Sequence, residues 1–105
     1  MKTNQKLEQG LTVIIPIYNV ENYVEQSILS VFKSNLKNLH IIAVNDHGCD
    51  RSIEIVNQLA KKDSRIEIIH NDRNRGLAFS RNHGIDFVKT SHLAFLDSDD
   101  WVASG

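Results

Sequence analysis

The 105-residue chain lacks several features that would assign a protein to a class at once. Its single cysteine, Cys49, allows no internal disulfide and no cysteine-rich zinc site. No hydrophobic run approaches the roughly 20 residues of a membrane-spanning helix. Residues 1–10 are polar and lack the apolar core of a signal peptide. Since a lone cysteine is typical of the reducing cytoplasm, we expect a cytoplasmic chain, and association of a longer protein with the inner membrane face stays open.

The chain also has no excess of either charge. Twelve Lys and Arg against thirteen Asp and Glu give a formal net charge of −1, whereas nucleic-acid-binding proteins usually present a basic face. Hydrophobic residues make up 41% of the sequence and charged residues 24%, as in folded globular domains rather than disordered ones. We therefore expect one folded unit, or part of one, that binds no nucleic acid.

Four short runs rich in apolar residues, the first of them mostly β-branched, predict strands, and the first, second and fourth are expected to be buried in a sheet. They cover residues 11–15, 39–44, 65–70 and 92–96. The only proline, Pro16, is expected to end the first strand, because proline cannot donate a hydrogen bond to a neighbouring strand. Residues 1–10 are interpreted as a polar tail before the domain.

Between these runs, apolar residues recur at the three- and four-residue spacing of amphipathic helices. The helices are expected to start at Asn19 or Glu21, at a cap formed by Asp50 or Ser52, and at Gly76. In the third helix, predicted over 76–89, the inner side would carry Ala78, Ile85 and Val88. The order β-α-β-α-β-α-β predicts an α/β fold with right-handed crossovers and a parallel sheet covered on both faces.

Polar residues follow every predicted strand. Ligands of open parallel sheets bind outside the carboxyl ends of the strands. These ends carry Tyr18 and Asn19, then Asn45 and Asp46, then residues 71–73, and finally residues 97–100. Each of these residues alone could be a turn former or a helix cap, but together they predict a binding site.

The last strand end carries the densest charge. In the segment Ala94-Phe95-Leu96-Asp97-Ser98-Asp99-Asp100-Trp101, an apolar run is followed by three carboxylates within four positions. Such close like charges repel unless something neutralises them, and a hard divalent cation does this well. The pattern predicts a metal site at the end of a buried strand.

Arg81 lies one turn into the third predicted helix, close to its apolar stripe. A guanidinium in that position requires an anion. Free backbone N–H groups at the start of the helix would also attract one. A bound phosphate and an ion pair with one of the aspartates are equal alternatives.

Taken in order, the motifs resemble those of the N-terminal half of the inverting family 2 nucleotide-sugar glycosyltransferases, which have the GT-A fold. The matching motifs are Val-Ile-Ile-Pro-Ile-Tyr-Asn at 13–19, Val-Asn-Asp at 44–46 with Asp50, Asn-Arg-Gly-Leu at 74–77 leading to Ser-Arg-Asn-His-Gly at 80–84, and Phe-Leu-Asp-Ser-Asp-Asp-Trp at 95–101. Each motif alone is weak, but the ordered set is specific. The resemblance implies a Rossmann-like, nucleotide-sugar-binding GT-A half over residues 11–105.

The resemblance also implies a role for each matching position. Pro16, Tyr18 and Glu21 would surround the base and ribose of a UDP-like nucleotide. Asp46 would hydrogen-bond the base edge, and Arg81 would approach the diphosphate. Asp97-Ser98-Asp99 matches the Asp-x-Asp motif, in which Asp97 contacts the ribose side. Asp99 would bind Mg²⁺ or Mn²⁺ bridging the diphosphate oxygens.

The implied reaction transfers a sugar from a nucleotide-sugar donor, a UDP-sugar foremost, to a hydroxyl of a saccharide or lipid-linked acceptor. Bacterial surface polysaccharide assembly is the usual setting for such relatives. In the family, the general base and the acceptor-binding half follow the Asp-x-Asp motif. This chain is therefore expected to be a fragment without a catalytic base, inactive alone, whose open sheet edge favours self-association.

Two positions depart from the family pattern. His47 stands where the family has the glycine of Asp-Gly-Ser, and it is bulky enough to reshape the base pocket. Arg75 stands at a family glycine, and its charge is expected to face solvent, with a position near the sugar or diphosphate as the alternative.

Other functions remain as alternatives. One is a non-catalytic module that binds a nucleotide or a partner. A phosphatase of the haloacid dehalogenase type would place its Asp-x-Asp after the first strand, and a dinucleotide oxidoreductase would show Gly-x-Gly-x-x-Gly there. The chain has Tyr18 and Asn19 at that point, which argues against both.

Overall fold

The computed structural model describes residues 8–34, 36 and 38–97. Strands and helices alternate along this part of the chain in the predicted order. The strands are β1 (Glu8–Ile17), β2 (Leu39–Asn45), β3 (Ile66–His70) and β4 (Thr90–Phe95). The helices are α1 (Val24–Phe32), α2 (Ser52–Lys62) and α3 (Leu77–Ile85).

The strands form one parallel sheet in the order β3-β2-β1-β4. β1 pairs with β2 from Leu11–Leu39 to Ile17–Asn45 and with β4 up to Ile14–Phe95. The chain places β2 and β3 on one side of β1 and then returns to place β4 on the other side. Winding therefore reverses between β1 and β4, and at such a reversal a crevice opens at the carboxyl ends of the strands.

Helices cover both faces of the sheet, as the alternating order predicted. On one face, Val13, Ile15 and Ile17 of β1 pack in a cluster that includes buried residues of α1 and α2. On the other face, Gly84 of α3 lies against Ile14 of a second cluster, and Phe87 and Val88, just after the helix, pack against that cluster. Burying one isoleucine side chain contributes about 1.5–3 kcal/mol relative to leaving it exposed. A strand with apolar residues on both faces is thus fixed in the middle of the sheet.

Pro16 lies inside β1, so the prediction that it ends the strand was wrong. The carbonyl of Ile14 accepts a hydrogen bond from the Leu96 N–H, whereas the carbonyl of Ile17 accepts one from the Asp46 N–H. Alternation therefore directs the backbone of Pro16 toward the β4 side. Pro16 lies beyond Ile14–Phe95, the last residue pair of the β1–β4 ladder, where its missing N–H interrupts no strand pairing.

Three predicted boundaries also differ. β1 begins at Glu8, so residues 8–10 belong to the strand and not to a tail. α1 begins at Val24 instead of residue 19 or 21, since Asn19 has φ of 53°, outside the helical region. The N-cap of α2 is Arg51, not Asp50 or Ser52.

The inner side of α3 is formed by Ser80 and Gly84. Ala78 and Ile85, predicted on that side, are exposed, and Val88 lies beyond the end of the helix. A Cβ atom at Gly84 would lie 2.6 Å from Cγ2 of Ile14. The helix therefore approaches the sheet more closely than any larger residue allows, and small residues take the place of an apolar stripe.

β4 is an edge strand of the sheet within the described range, as is β3, and the prediction that β4 is buried was wrong. Leu93 and Phe95 are 40% and 42% exposed. None of the helices described is long and apolar enough to cross a membrane.

The close packing of α3 on β1 leads to a stability prediction. Gly84→Val should lower the free energy of unfolding by about 1–3 kcal/mol, because added methyl groups cannot be accommodated against Ile14. Asn82→Val, at an exposed position of the same helix, is the matched control and should change it much less. Urea unfolding measures both, and equal effects for the two variants would contradict the packing described here.

Candidate functional site

A cleft of about 410 Å³ opens at the carboxyl ends of the strands, where the winding reverses. It is lined by Pro16, Tyr18, Val20, Asp46, Asn74, Gly76, Leu77 and Asp97. Its volume lies within the range of about 300–1,000 Å³ that is usual for small-molecule sites. Four of the six predicted nucleotide-binding residues thus line one cavity. The other two, Glu21 and Arg81, are not among the lining residues.

Asp46 is almost completely buried at the end of β2, with 3% of its surface exposed. Its Oδ1 accepts hydrogen bonds from Nδ2 of Asn71 at 2.9 Å and from the N–H of Arg75 at 2.6 Å. Its Oδ2 accepts from Nδ2 of Asn74 at 2.9 Å and from the N–H of Gly76 at 3.0 Å. A carboxylate offers about four acceptor positions, so internal donors satisfy this one.

The anion that was expected at the start of α3 is therefore found within the chain. Two N–H groups that precede the helix, those of Arg75 and Gly76, donate to Asp46. These two N–H groups are therefore not free to bind a phosphate, which was one of the two alternatives drawn from the sequence.

Asn71 connects the carboxylate to α3 and is itself 2% exposed. Its Nδ2 donates to Asp46 and, at 2.9 Å, to Oγ of Ser80. Its Oδ1 must then be the acceptor from Nδ1 of His83 at 2.7 Å, which places a proton on that ring nitrogen. The carbonyl oxygen of Asn71 accepts from Nε2 of His47. The spacing of apolar residues along the sequence cannot reveal such a hydrogen-bond network. The sequence placed Asn71 at a strand end but did not indicate its partners.

His47 and Arg75, the two departures from the family pattern, both point to partners outside the cleft lining. His47 has φ of 59°, in the left-handed region where glycine is favoured, and its ring contacts the carbonyl of Asn71. Arg75 pairs with Asp72 at 2.8 Å and lies over the ring of Phe79 at 4.6 Å. The Arg75 guanidinium lowers the pKa of the Asp72 carboxyl.

Arg81 forms an ion pair with Asp97, with Nη2 of Arg81 3.2 Å from Oδ1 of Asp97. Both side chains are more than a third exposed, so the pair stabilises the fold by only about 0–1 kcal/mol. The Nε of Arg81 is buried and has no hydrogen-bond partner among the described residues. Of the two alternatives drawn from the sequence, the ion pair is the one present here.

A second carboxylate, Asp50, fixes the loop that carries Tyr18 and Val20. Its Oδ2 accepts from the N–H of Glu21 at 2.9 Å, and its Oδ1 accepts from the N–H and Oγ of Ser52 at 2.9 and 2.5 Å. The Oγ of Ser52 accepts from the N–H of Val20 at 2.7 Å. The backbone N–H of Glu21 thus helps to fix this loop, and the residue itself is exposed. The sequence indicated Asp50 only as part of a motif and as a candidate cap of α2, without its bond to Glu21.

Asp99, the predicted metal ligand, lies outside the described residues, as do Ser98, Asp100 and Trp101. Within the described part of the chain, no group of three or more His, Cys, Asp or Glu is placed to hold a metal ion. Asp97 is the described member of the motif, and its partly exposed carboxylate at the cleft is a hard oxygen donor of the kind Mg²⁺ and Mn²⁺ accept.

The sequence profile of Glycosyl transferase family 2 matches residues 12–105. The chain belongs to this family. A relative from Bacillus subtilis (strain 168), the uncharacterized glycosyltransferase EpsJ, is 43% identical over 94 residues. The match covers 90% of this chain but 27% of that protein. The predicted family is confirmed, and the chain spans only part of the length of its relatives.

Two solved structures share the fold. The mannosyltransferase PcManGT from Pyrobaculum calidifontis, in complex with GDP-Man and Mn²⁺, has a TM-score of 0.83 at 16% identity, over 96% of this chain and 32% of that one. S. aureus TarS 1–349, in complex with UDP-GlcNAc, has a TM-score of 0.80 at 24% identity, over 89% and 27%. These likenesses confirm the Rossmann-like GT-A fold class.

The hydrogen bonds of Asp50 lead to a pH prediction. Burial raises its pKa, but the hydrogen bonds from Ser52 and Glu21 outweigh it, so the pKa lies below the ordinary value of 3.8. A lowered folded-state pKa stabilises the fold fully above the unfolded value, and this stabilisation is lost as pH falls through the folded pKa.

Asp50→Asn should therefore lower the free energy of unfolding at pH 7, and the difference from wild type should shrink as pH falls below 3.8. Glu67→Gln, at an exposed position of β3, is the control. Urea unfolding at several pH values measures this difference in the free energy of unfolding. A difference that stays constant with pH would refute the lowered pKa of Asp50.

Proposed function

We propose that this chain is the donor-binding part of a glycosyltransferase that transfers a sugar from a nucleotide sugar, a UDP-sugar foremost, to an acceptor hydroxyl. The observation that carries the proposal is the cleft at the strand reversal of a family 2 chain, lined by Pro16, Tyr18, Asp46 and Asp97. It is supported by the two structures of the same fold, one with UDP-GlcNAc and one with GDP-Man and Mn²⁺.

The base and ribose are assigned to the β1 side of the cleft. Tyr18 is 46% exposed there and offers an aromatic face on which a base can stack. Pro16 and Val20 add apolar surface beside it. Glu21 follows on the loop fixed by Asp50 and is proposed to border the ribose. The contact between Asp46 and the base edge stays a prediction.

The diphosphate is assigned to Arg81. Its present partner, Asp97, contributes little stability because both groups are partly exposed. The guanidinium has five N–H donors, and its buried Nε has no partner among the described residues. A diphosphate can therefore compete for Arg81 at low cost, and Asp97 is then free to contact the ribose.

A divalent cation, Mg²⁺ or Mn²⁺, is proposed at the Asp-x-Asp motif, with Asp99 as its ligand and Asp97 beside it. When bound, it would neutralise the charge of the departing diphosphate. We assign no catalytic base within this chain. The catalytic base and the binding site for a saccharide or lipid-linked acceptor are proposed to belong to a longer protein. We propose that this protein acts in surface polysaccharide assembly.

The nucleotide assignment is tested by an amide NMR titration of the chain with UDP, with and without Mg²⁺. Signals of Tyr18, Gly76 and Asp97 should shift, and Arg81→Ala should weaken binding by about 10- to 100-fold, as for loss of a hydrogen bond to a charged group. Arg65→Ala removes an exposed arginine paired with Asp63 and should have no effect.

Asp99→Ala should abolish the effect of Mg²⁺ on UDP affinity while leaving the spectrum dispersed. A folded wild-type chain whose signals ignore UDP would refute the proposal and favour the non-catalytic module.

We also propose that the chain self-associates through β4. β4 is one of the two edge strands of the described sheet, the other being β3, and it exposes Leu93 and Phe95. Light scattering should show a mass that rises with concentration. Leu93→Lys should prevent the rise, whereas Leu29→Lys on exposed α1 surface should not. A wild-type chain that stays monomeric at high concentration would refute this.

A further inference from the structure

The turn that precedes α3 crosses the carboxyl end of β2, and one side chain fixes it there. Three of the four donors to the carboxylate of Asp46 come from consecutive residues, Asn74, Arg75 and Gly76. Nδ2 of Asn74 also donates to the backbone carbonyl of Asp46 at 3.1 Å. The conformation of this turn therefore depends on an acceptor in a different strand connection.

The backbone of the turn is adapted to this acceptor. Gly76 has φ of 90°, in the region that side chains disfavour, although a Cβ atom there would meet nothing within 4 Å. The glycine is thus needed for its conformation and not for space. In this conformation the successive N–H groups of Arg75 and Gly76 reach the two oxygens of one carboxylate.

The carboxylate is in turn held by a fourth donor from outside the turn. Nδ2 of Asn71 donates to its Oδ1, and Asn71 is fixed by Ser80 and His83 of α3. Burying a carboxylate is unfavourable unless hydrogen bonds replace its water. Asp46 therefore joins the ends of β2 and β3 to the start of α3 at a site from which water is largely excluded.

This turn supplies Asn74 and Gly76 to the wall of the cleft, and Leu77 follows at the start of α3. We propose that Asp46 is a positioning residue, whose carboxylate sets the turn at 74–76 and thereby the shape of the cleft before a nucleotide arrives. This inference rests on the proposed function. It deepens the proposed function by giving Asp46 a role in the chain before the nucleotide binds. A contact between Asp46 and the base, in contrast, exists only when the nucleotide is bound.

Asp46→Asn tests the proposal because it keeps the shape of the side chain but replaces one acceptor oxygen by an NH₂ group. That group would face two donors. Amide hydrogen exchange of the ligand-free chain should show Arg75 and Gly76 protected in wild type. In the variant, both should exchange about 10-fold faster or more, as expected when a charged acceptor is lost. UDP affinity should fall by a similar factor.

Asp72→Asn is the matched control, since Asp72 is an exposed carboxylate of the same loop that pairs with the side chain of Arg75. It should leave the exchange of Gly76 and the affinity for UDP unchanged. If Asp46→Asn does not fold, Asn74→Ala removes one donor and keeps the charge. It should accelerate exchange at Arg75 and Gly76 to a smaller extent.

The outcomes are distinguishable. Unchanged exchange at Arg75 and Gly76 in a folded Asp46→Asn chain would overturn the positioning role, and a loss of UDP affinity with unchanged exchange would indicate a direct base contact. A wild-type chain that does not bind UDP would overturn the proposed function, and with it the role of the turn in binding. The exchange data would still report whether Asp46 sets the turn.

Discussion

The position of β1 between β2 and β4 is the constraint on which the rest of the structure depends. Its backbone is hydrogen-bonded on both sides, to partners that the chain reaches in opposite directions. Both faces of the strand are buried, as Ile14 and Ile15 show. Such a strand cannot shift by one residue without moving its side chains to the wrong face. The crevice at its carboxyl end is therefore a fixed feature of the fold.

Charge compensation decides what this crevice can bind. Asp46 and Asp50 are satisfied by donors of the protein, and their carboxylates act on the two loops that shape the cleft. The ion pair between Arg81 and Asp97 is weak because both side chains are partly exposed. Among the described residues, Arg81 is therefore a cation that an anionic ligand can bind without disturbing the buried network, which suits the diphosphate of a nucleotide sugar better than a neutral molecule.

The sequence predicted the elements, the sheet and the strand ends that form the cleft, because apolar periodicity and the position of polar residues after strands are local signals. It did not predict that Pro16 would fit inside a strand, since this depends on which neighbour its backbone faces. It misplaced the inner side of α3, where close approach to Ile14 requires small residues. The donors to Asp46 come from a segment some 30 residues away, and no periodicity reports such a pairing.

The most direct test of the account is the location of a bound metal–nucleotide complex. Mn²⁺ broadens nearby amide signals, so a titration of the chain with Mn²⁺ and UDP maps the site in solution. Binding at the strand reversal predicts broadening centred on Tyr18, Gly76 and Asp97 that requires both components. Broadening centred on the opposite end of the sheet, near His40 and Arg65, would contradict it.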